Sequence, residues 1–376
     1  MRSFCIPGLA AVTLLAGCWN FPDGGELDTV AFDNAIVNTQ TGVIETIETN
    51  LECPDGEKAR LYVVYDQSIT AAAPVAIVFH SSTFDYVTNP QPEAPLVGTN
   101  YAGSESRISW SWAVRKVWET FGMHDAVDPA ESNLGTLPAA LLDAGVVGIY
   151  PINCWADLWH NEQGLRPNDL ATEYIDRNGG AFAWWMVRML FEADFADLQG
   201  ITINPLIDLQ RMYWIGLGDG SRAVIDLLGT RDVGPVGVLL DSPIDDLEMW
   251  GDQSPQVAEG LARVYNPTRD SEFDWREWEL RYMWNRAVSA EQVEEFPAMG
   301  DIDRLAVIHS TSDPQVPNGN LERLTNSFAN TTVPNAPDVC AIDTGRVAHV
   351  FSNGDQATAR ELVDYLVNGT RPANCD

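Results

Sequence analysis

The chain has 376 residues, 54 of them acidic and 22 basic, for a formal net charge of −32. A surface this acidic repels nucleic-acid phosphates and anionic lipid headgroups, which excludes nucleic acid as a partner and any attachment driven by membrane charge. With 45% hydrophobic residues it can bury a sizeable core, enough for one large α/β domain with insertions or two small domains.

At the start of the chain, Arg2, an apolar run over residues 6–15 and small residues before Cys18 read as a secretory signal peptide, residues 1–17, too short to span a bilayer stably. The ending Leu15, Ala16, Gly17, Cys18 resembles the bacterial lipobox. That resemblance implies a lipidated Cys18 attached to the membrane; an ordinary signal with a chance cysteine is the alternative. Trp19 in place of an acid after the cysteine implies an outer-membrane or cell-surface lipoprotein. Residues 18–50 are polar and weakly alternating, a tether with an opening strand at 41–48. Lys58 and Lys116 are the only lysines. Such an acid-rich, lysine-poor chain suits an exported protein in salty surroundings, where ions screen self-repulsion.

Residues 58–66, KARLYVVYD, alternate and predict an antiparallel edge strand. Residues 75–80, VAIVFH, predict a short strand buried on both faces, closed by His80, Ser81 and Ser82. A helix with a broad tryptophan-rich face follows at 104–121, then a helix at 134–144 and the apolar strand VVGIYPI at 146–152. Residues 153–176 form a long loop with Trp155, Trp159, His160 and Arg166, either a pocket wall or an acidic surface loop. An apolar helix at 181–199 leads to residues 211–229, RMYWIGLGDGSRAVIDLLG: a strand, a glycine-rich turn and a helix. Strand PVGVLLD (235–241) follows, then a charged helical insertion at about 242–301, strand LAVIHS from 305, a weaker last strand at 339–342 and a terminal helix. Helices alternating with apolar strands are the signature of a mostly parallel sheet covered on both faces.

Gly216, Leu217, Gly218, Asp219, Gly220 resemble the G-x-S-x-G nucleophile elbow of the α/β-hydrolases at both outer glycines. LAVIHSTSDPQVP is similar to the family's acid-bearing strand and loop, with Asp313 on the acid, and VCAIDTGRVAHVF places His349 at the family's histidine. The order of nucleophile position, Asp and His is that of this family. The resemblance implies an α/β-hydrolase domain over residues 51–376, with the 242–301 insertion as a lid. It also implies an oxyanion hole from the Ser81 loop and the N–H of Asp219. His80 reads equally well as a hydrogen-bonded strand-end residue.

The departure is at the nucleophile, where Gly218 stands in place of serine. A serine-hydrolase mechanism needs an atom there, so the expectation is a hydrolase-like protein without standard activity that holds a small-molecule or peptide ligand, or an envelope partner, in the former pocket. The alternative is an ester hydrolase or peptidase using a displaced nucleophile: Ser221, one turn into the helix, or Asp219, Ser81 or Ser82. A carboxylate at Asp219 disfavours a forming oxyanion unless it points away.

No dinucleotide turn or phosphate loop is present, so no cofactor is expected. Beyond the signal and Cys18, the cysteines are Cys53, Cys154, Cys340 and Cys375, with no C-x-x-C pair to suggest zinc. Four cysteines in an exported chain suggest two disulfides with three possible connectivities. The favoured set is Cys340 with Cys375, which would pin the end of the chain to the sheet near His349, and Cys53 with Cys154.

Overall fold

The structure, a computed structural model, describes residues 33–38, 42–52, 58–69, 71–79, 136–151, 207–218, 220–228, 234–243, 302–313, 320–329, 337–346 and 355–375. Outside them lie the signal segment, Cys18, Cys53, Cys154, His80, Ser81, Ser82, Asp219 and His349. The expected helices at 104–121 and 181–199, the 153–176 loop and residues 244–301 of the expected lid also lie outside.

Among the described residues nine strands form one sheet in the order β1-β2-β3-β5-β4-β6-β7-β8-β9. They are β1 (Asp33–Asn38), β2 (Val43–Glu52), β3 (Lys58–Tyr65), β4 (Ala73–Phe79), β5 (Val147–Pro151), β6 (Ile207–Leu217), β7 (Gly237–Asp241), β8 (Arg304–His309) and β9 (Asp338–Asp343). The first three strands meet their neighbours antiparallel; from β5 across to β9 every pairing is parallel. Setting β1 aside, the remaining eight strands follow the α/β-hydrolase order, with β3 running against the rest.

Two differences from the sequence reading concern the antiparallel end. The sheet begins at Asp33, inside the segment read as a tether, because β1 and β2 pair as a hairpin from Asp33↔Glu48 to Asn38↔Val43. Strand β3 is not an edge: β2 flanks it on one side and β5 on the other. Its alternation reflects position among antiparallel strands rather than exposure, since Tyr62, Val63, Val64 and Tyr65 are all buried.

The parallel strands read as unbroken apolar runs because both of their faces are covered. All seven residues of β4 and all five of β7 are buried. On one face α1 (Thr136–Asp143) packs against α4 (Gln356–Asn368). Leu137, Ala140, Leu141, Leu362, Val363 and Tyr365 join Val78, Ile215, Ala306 and Cys340 in a continuous core there. The buried residues of α2 (Gly220–Leu228), Val224, Ile225, Leu227 and Leu228, stand outside that core and cover the opposite face along β6 and β4. Helix α3 (Asn320–Ala329) packs on β9 through an i, i+4 pair of buried residues, Leu324 and Phe328.

Helix α4 is the best-delimited element. The Asp355 carboxylate caps its first turn by accepting from the N–H groups of Ala357 and Thr358. Gly369, in the left-handed region at φ 77°, closes it with an N–H to the Tyr365 carbonyl. Among the described residues no helix is long and apolar enough to cross a membrane.

Candidate functional site

From β4 the chain moves outward to β5, then crosses back over β4 to β6 and continues in the other direction. The carboxyl ends of β4 and β6 therefore flank the point where the winding reverses, the place in open α/β sheets where ligands bind. Phe79 and Gly216 pair there, so β4 ends beside the start of the glycine-rich turn.

The turn after β6 is an elbow in its backbone. Gly218 sits at φ 57°, in the left-handed region that a residue with a Cβ enters only at a cost. Its N–H donates to the Asp241 carbonyl at 2.8 Å, prolonging the β6–β7 ladder, while its own carbonyl accepts from the Ser221 N–H at 3.1 Å and starts α2. Gly216 lets the helix fold back onto the strand. A Cβ at Gly216 would lie 2.4 Å from the Ser221 Cα and 2.7 Å from the Ser221 N, too close for any side chain.

Ser221 is fully buried, and its hydroxyl donates to the Gly216 carbonyl at 3.1 Å. That bond occupies the proton a nucleophile would have to give up and turns the oxygen back into the strand–helix junction.

One strand over, β7 ends in a pair to which the sequence analysis gave no role. Asp241 is fully buried, and Ser242 adopts φ 53° although it is not glycine. Such a conformation costs about 1–2 kcal/mol. It is supported by the Ser242 N–H donating to the Ile308 carbonyl and the Ser242 hydroxyl donating to the Asp241 carboxylate. The available signal was an acid and a small polar residue, Asp241–Ser242, directly after an apolar strand that points at the elbow.

Asp313 is buried in the loop after β8, its N–H donating to the Ser310 carbonyl at 3.0 Å. This loop is tied to the one after β9 at several points. The Ser310 hydroxyl donates to the Arg346 carbonyl and accepts from the Ser312 N–H. The Thr344 N–H donates to the His309 carbonyl. The Asp343 carboxylate accepts from the N–H groups of Thr311 and Gly345. Burial pushes the Asp343 carboxyl up, but those N–H donors, helped by the nearby His309, outweigh it and hold the group below the usual carboxylate range.

Further along, the Arg346 guanidinium pairs with Asp355, the cap of α4, and this contact pulls the Asp355 carboxyl down to about 2. The segment that carries His349 is thus bracketed by Arg346 and Asp355. The structure brings together the elbow, the Asp241–Ser242 pair and the Asp313 loop along one edge of the sheet.

Neither a protein-family model nor a curated protein sequence matches the chain. Among solved structures it is similar to a Pyrococcus horikoshii acylaminoacyl peptidase, at 12% identity over 90% of this chain and 41% of that one, with a TM-score of 0.49. It is also similar to a Mycobacterium tuberculosis puromycin-hydrolyzing peptidase, at 11% identity over 91% of this chain and 48% of that one, with a TM-score of 0.49. A Rhizomucor miehei esterase shows 13% identity over 91% of this chain and 83% of that one, with a TM-score of 0.48. The chain spans less than half the length of the two peptidases. Likeness at this level says nothing of substrate; the fold is read from the strand order and the elbow.

Proposed function

We propose that this protein is an exported, lipid-anchored relative of the α/β-hydrolases that lacks standard serine-hydrolase activity. In this reading it holds a small-molecule or peptide ligand, or an envelope partner, in what the family resemblance implies is a former active-site pocket. The observation that carries it is Gly218 at the elbow's apex, φ 57°, with no side-chain atom to attack a carbonyl.

In a working triad the histidine takes the proton of the nucleophile and a buried acid fixes the imidazole tautomer. Asp313 supplies a buried acid in the family's position. His349 lies three residues beyond Arg346, whose carbonyl is tied to the Asp313 loop. In this reading Asp313 and His349 form an acid–histidine pair beside a vacant nucleophile position, which keeps polar, ligand-holding character without the means of covalent catalysis. Lipidation at Cys18 and an outer-membrane or surface location rest on the lipobox resemblance.

The competing reading, an active hydrolase with Ser221 as nucleophile, is weakened by the burial of Ser221 and its bond to Gly216. Labelling with a fluorophosphonate probe and turnover of short-chain nitrophenyl esters separate the two. The expected result is no labelling and no turnover in the wild type, with Gly218→Ser gaining both. Wild-type labelling that vanishes in Ser221→Ala would overturn the proposal.

A further inference from the structure

Strand β9 is the outer strand of the parallel end of the sheet. Its ladder to β8 uses even-numbered residues, from the Asp338 N–H on the Asp303 carbonyl to the Thr344 N–H on the His309 carbonyl. The N–H and C=O groups of Val339, Ala341 and Asp343 therefore point away from the sheet. An open row of this kind is a template for another strand.

The residues after α4 lie across one end of that row. The Arg371 guanidinium donates to the Val339 carbonyl at 3.0 Å and to the Asp338 carboxylate at 2.6 Å, and Cys375 is bonded to Cys340, with Cα atoms 5.2 Å apart. The covering is thin, for within residues 370–375 only Pro372 is buried. The Arg371–Asp338 pair is 42% and 56% exposed, a setting in which ion pairs hold weakly and salt screens them further. Helix α4, closed by Gly369, has its own caps and buried face and does not need residues 370–375. The Cys340–Cys375 bond is the covalent link between this cover and β9.

We infer that residues 370–375 form a redox-locked strap over the β9 edge, and that opening it lets a second copy of the chain pair with β9. The partner follows from the row itself. In a two-fold antiparallel pairing centred on Ala341, Val339 faces Asp343 of the other copy, so the acids at the ends of β9 do not meet each other. That pairing needs the Val339 carbonyl, the group Arg371 occupies. Reduction by a dithiol breaks the bond between the Cys340 and Cys375 sulfurs, leaves a thiol on each, and converts the reductant to its own disulfide.

The test is the molar mass of the full chain by light scattering in high salt, where charge repulsion between copies is screened. The oxidised wild type should be monomeric, and Cys375→Ser combined with Arg371→Ala should double the mass. Adding Ala341→Pro should return the monomer, because proline is tolerated where the N–H points off an edge and removes the donor that pairing requires. An oxidised wild type of doubled mass, a monomeric strap-open variant, or doubling that survives Ala341→Pro would each overturn the inference. So would loss of the far-UV circular dichroism signal in the strap-open variant, which would make the segment a brace of the fold.

Discussion

The elbow after β6 and the paired loops after β8 and β9 face the same task, fixing a turn at the carboxyl edge of the sheet, and they do it by different means. The elbow is locked by backbone contact: Gly216 against Ser221, and Gly218 in a conformation glycine enters freely. The β8–β9 loops are locked by side-chain hydrogen bonds from Ser310 and Asp343 and by the Arg346–Asp355 ion pair. A turn held by packing keeps its shape when its reactive group is absent, because that group holds nothing in place. A turn held by polar side chains depends on their identity and protonation.

The largest expected effect lies at the packed elbow. Gly216→Ala drives a Cβ into the Ser221 backbone, which cannot rotate away, and should cost about 3 kcal/mol in urea unfolding. A loss below about 1 kcal/mol would mean that strand and helix can separate without consequence.

At the bonded loops the cost should be smaller. Ser310→Ala removes a donor to the Arg346 carbonyl and an acceptor for the Ser312 N–H and should destabilise by about 1–2 kcal/mol. Its exchange signature should be local, with faster amide exchange at Ser312 and Thr344. A uniform acceleration across the sheet would contradict the idea of a local clasp.

Smallest is the acid dependence. Asp355 and Asp343 both titrate below their ordinary values in the folded state, so what they add to stability is present above about pH 4 and fades as the pH falls. For Asp355 the loss runs down to about pH 2. Because its ion pair is solvent-exposed, the amount should stay under about 1 kcal/mol. Comparing acid unfolding of the wild type with Asp355→Asn should show the two converging toward pH 2; a difference that grows on acidification would reverse the sign. In the same pH range Gly216→Ala should keep a constant deficit, since no titratable group enters its mechanism.

The continuous apolar runs VAIVF, MYWIGL, VGVLL and LAVIH announced the buried parallel strands, since a strand covered on both faces has no polar side to show. The elbow was legible because glycine spacing reports backbone demands directly. Strand β1 was not, because DNAIVN carries only three apolar residues and borrows its stability from pairing with β2. Helix α3 was missed for a related reason: among its described side chains Leu324 and Phe328 are the buried hydrophobic ones, too few for a periodicity to stand out. Asp241 and Ser242 looked like a strand end leading into a loop. Their burial and the left-handed Ser242 exist only once β8 lies alongside and offers the Ile308 carbonyl.

By itself the sequence determined which segments must be buried, where the chain must turn on glycine, and that no hydroxyl stands at position 218, since these follow from side-chain chemistry and local backbone freedom. Only the tertiary structure decided that β3 is interior, that Ser221 turns its hydroxyl into the strand–helix junction, and that the Asp313 loop is tied to the one leading toward His349. Those facts depend on which distant segments come to lie side by side, and the hydrogen bonds that fix them join residues that pattern alone does not pair.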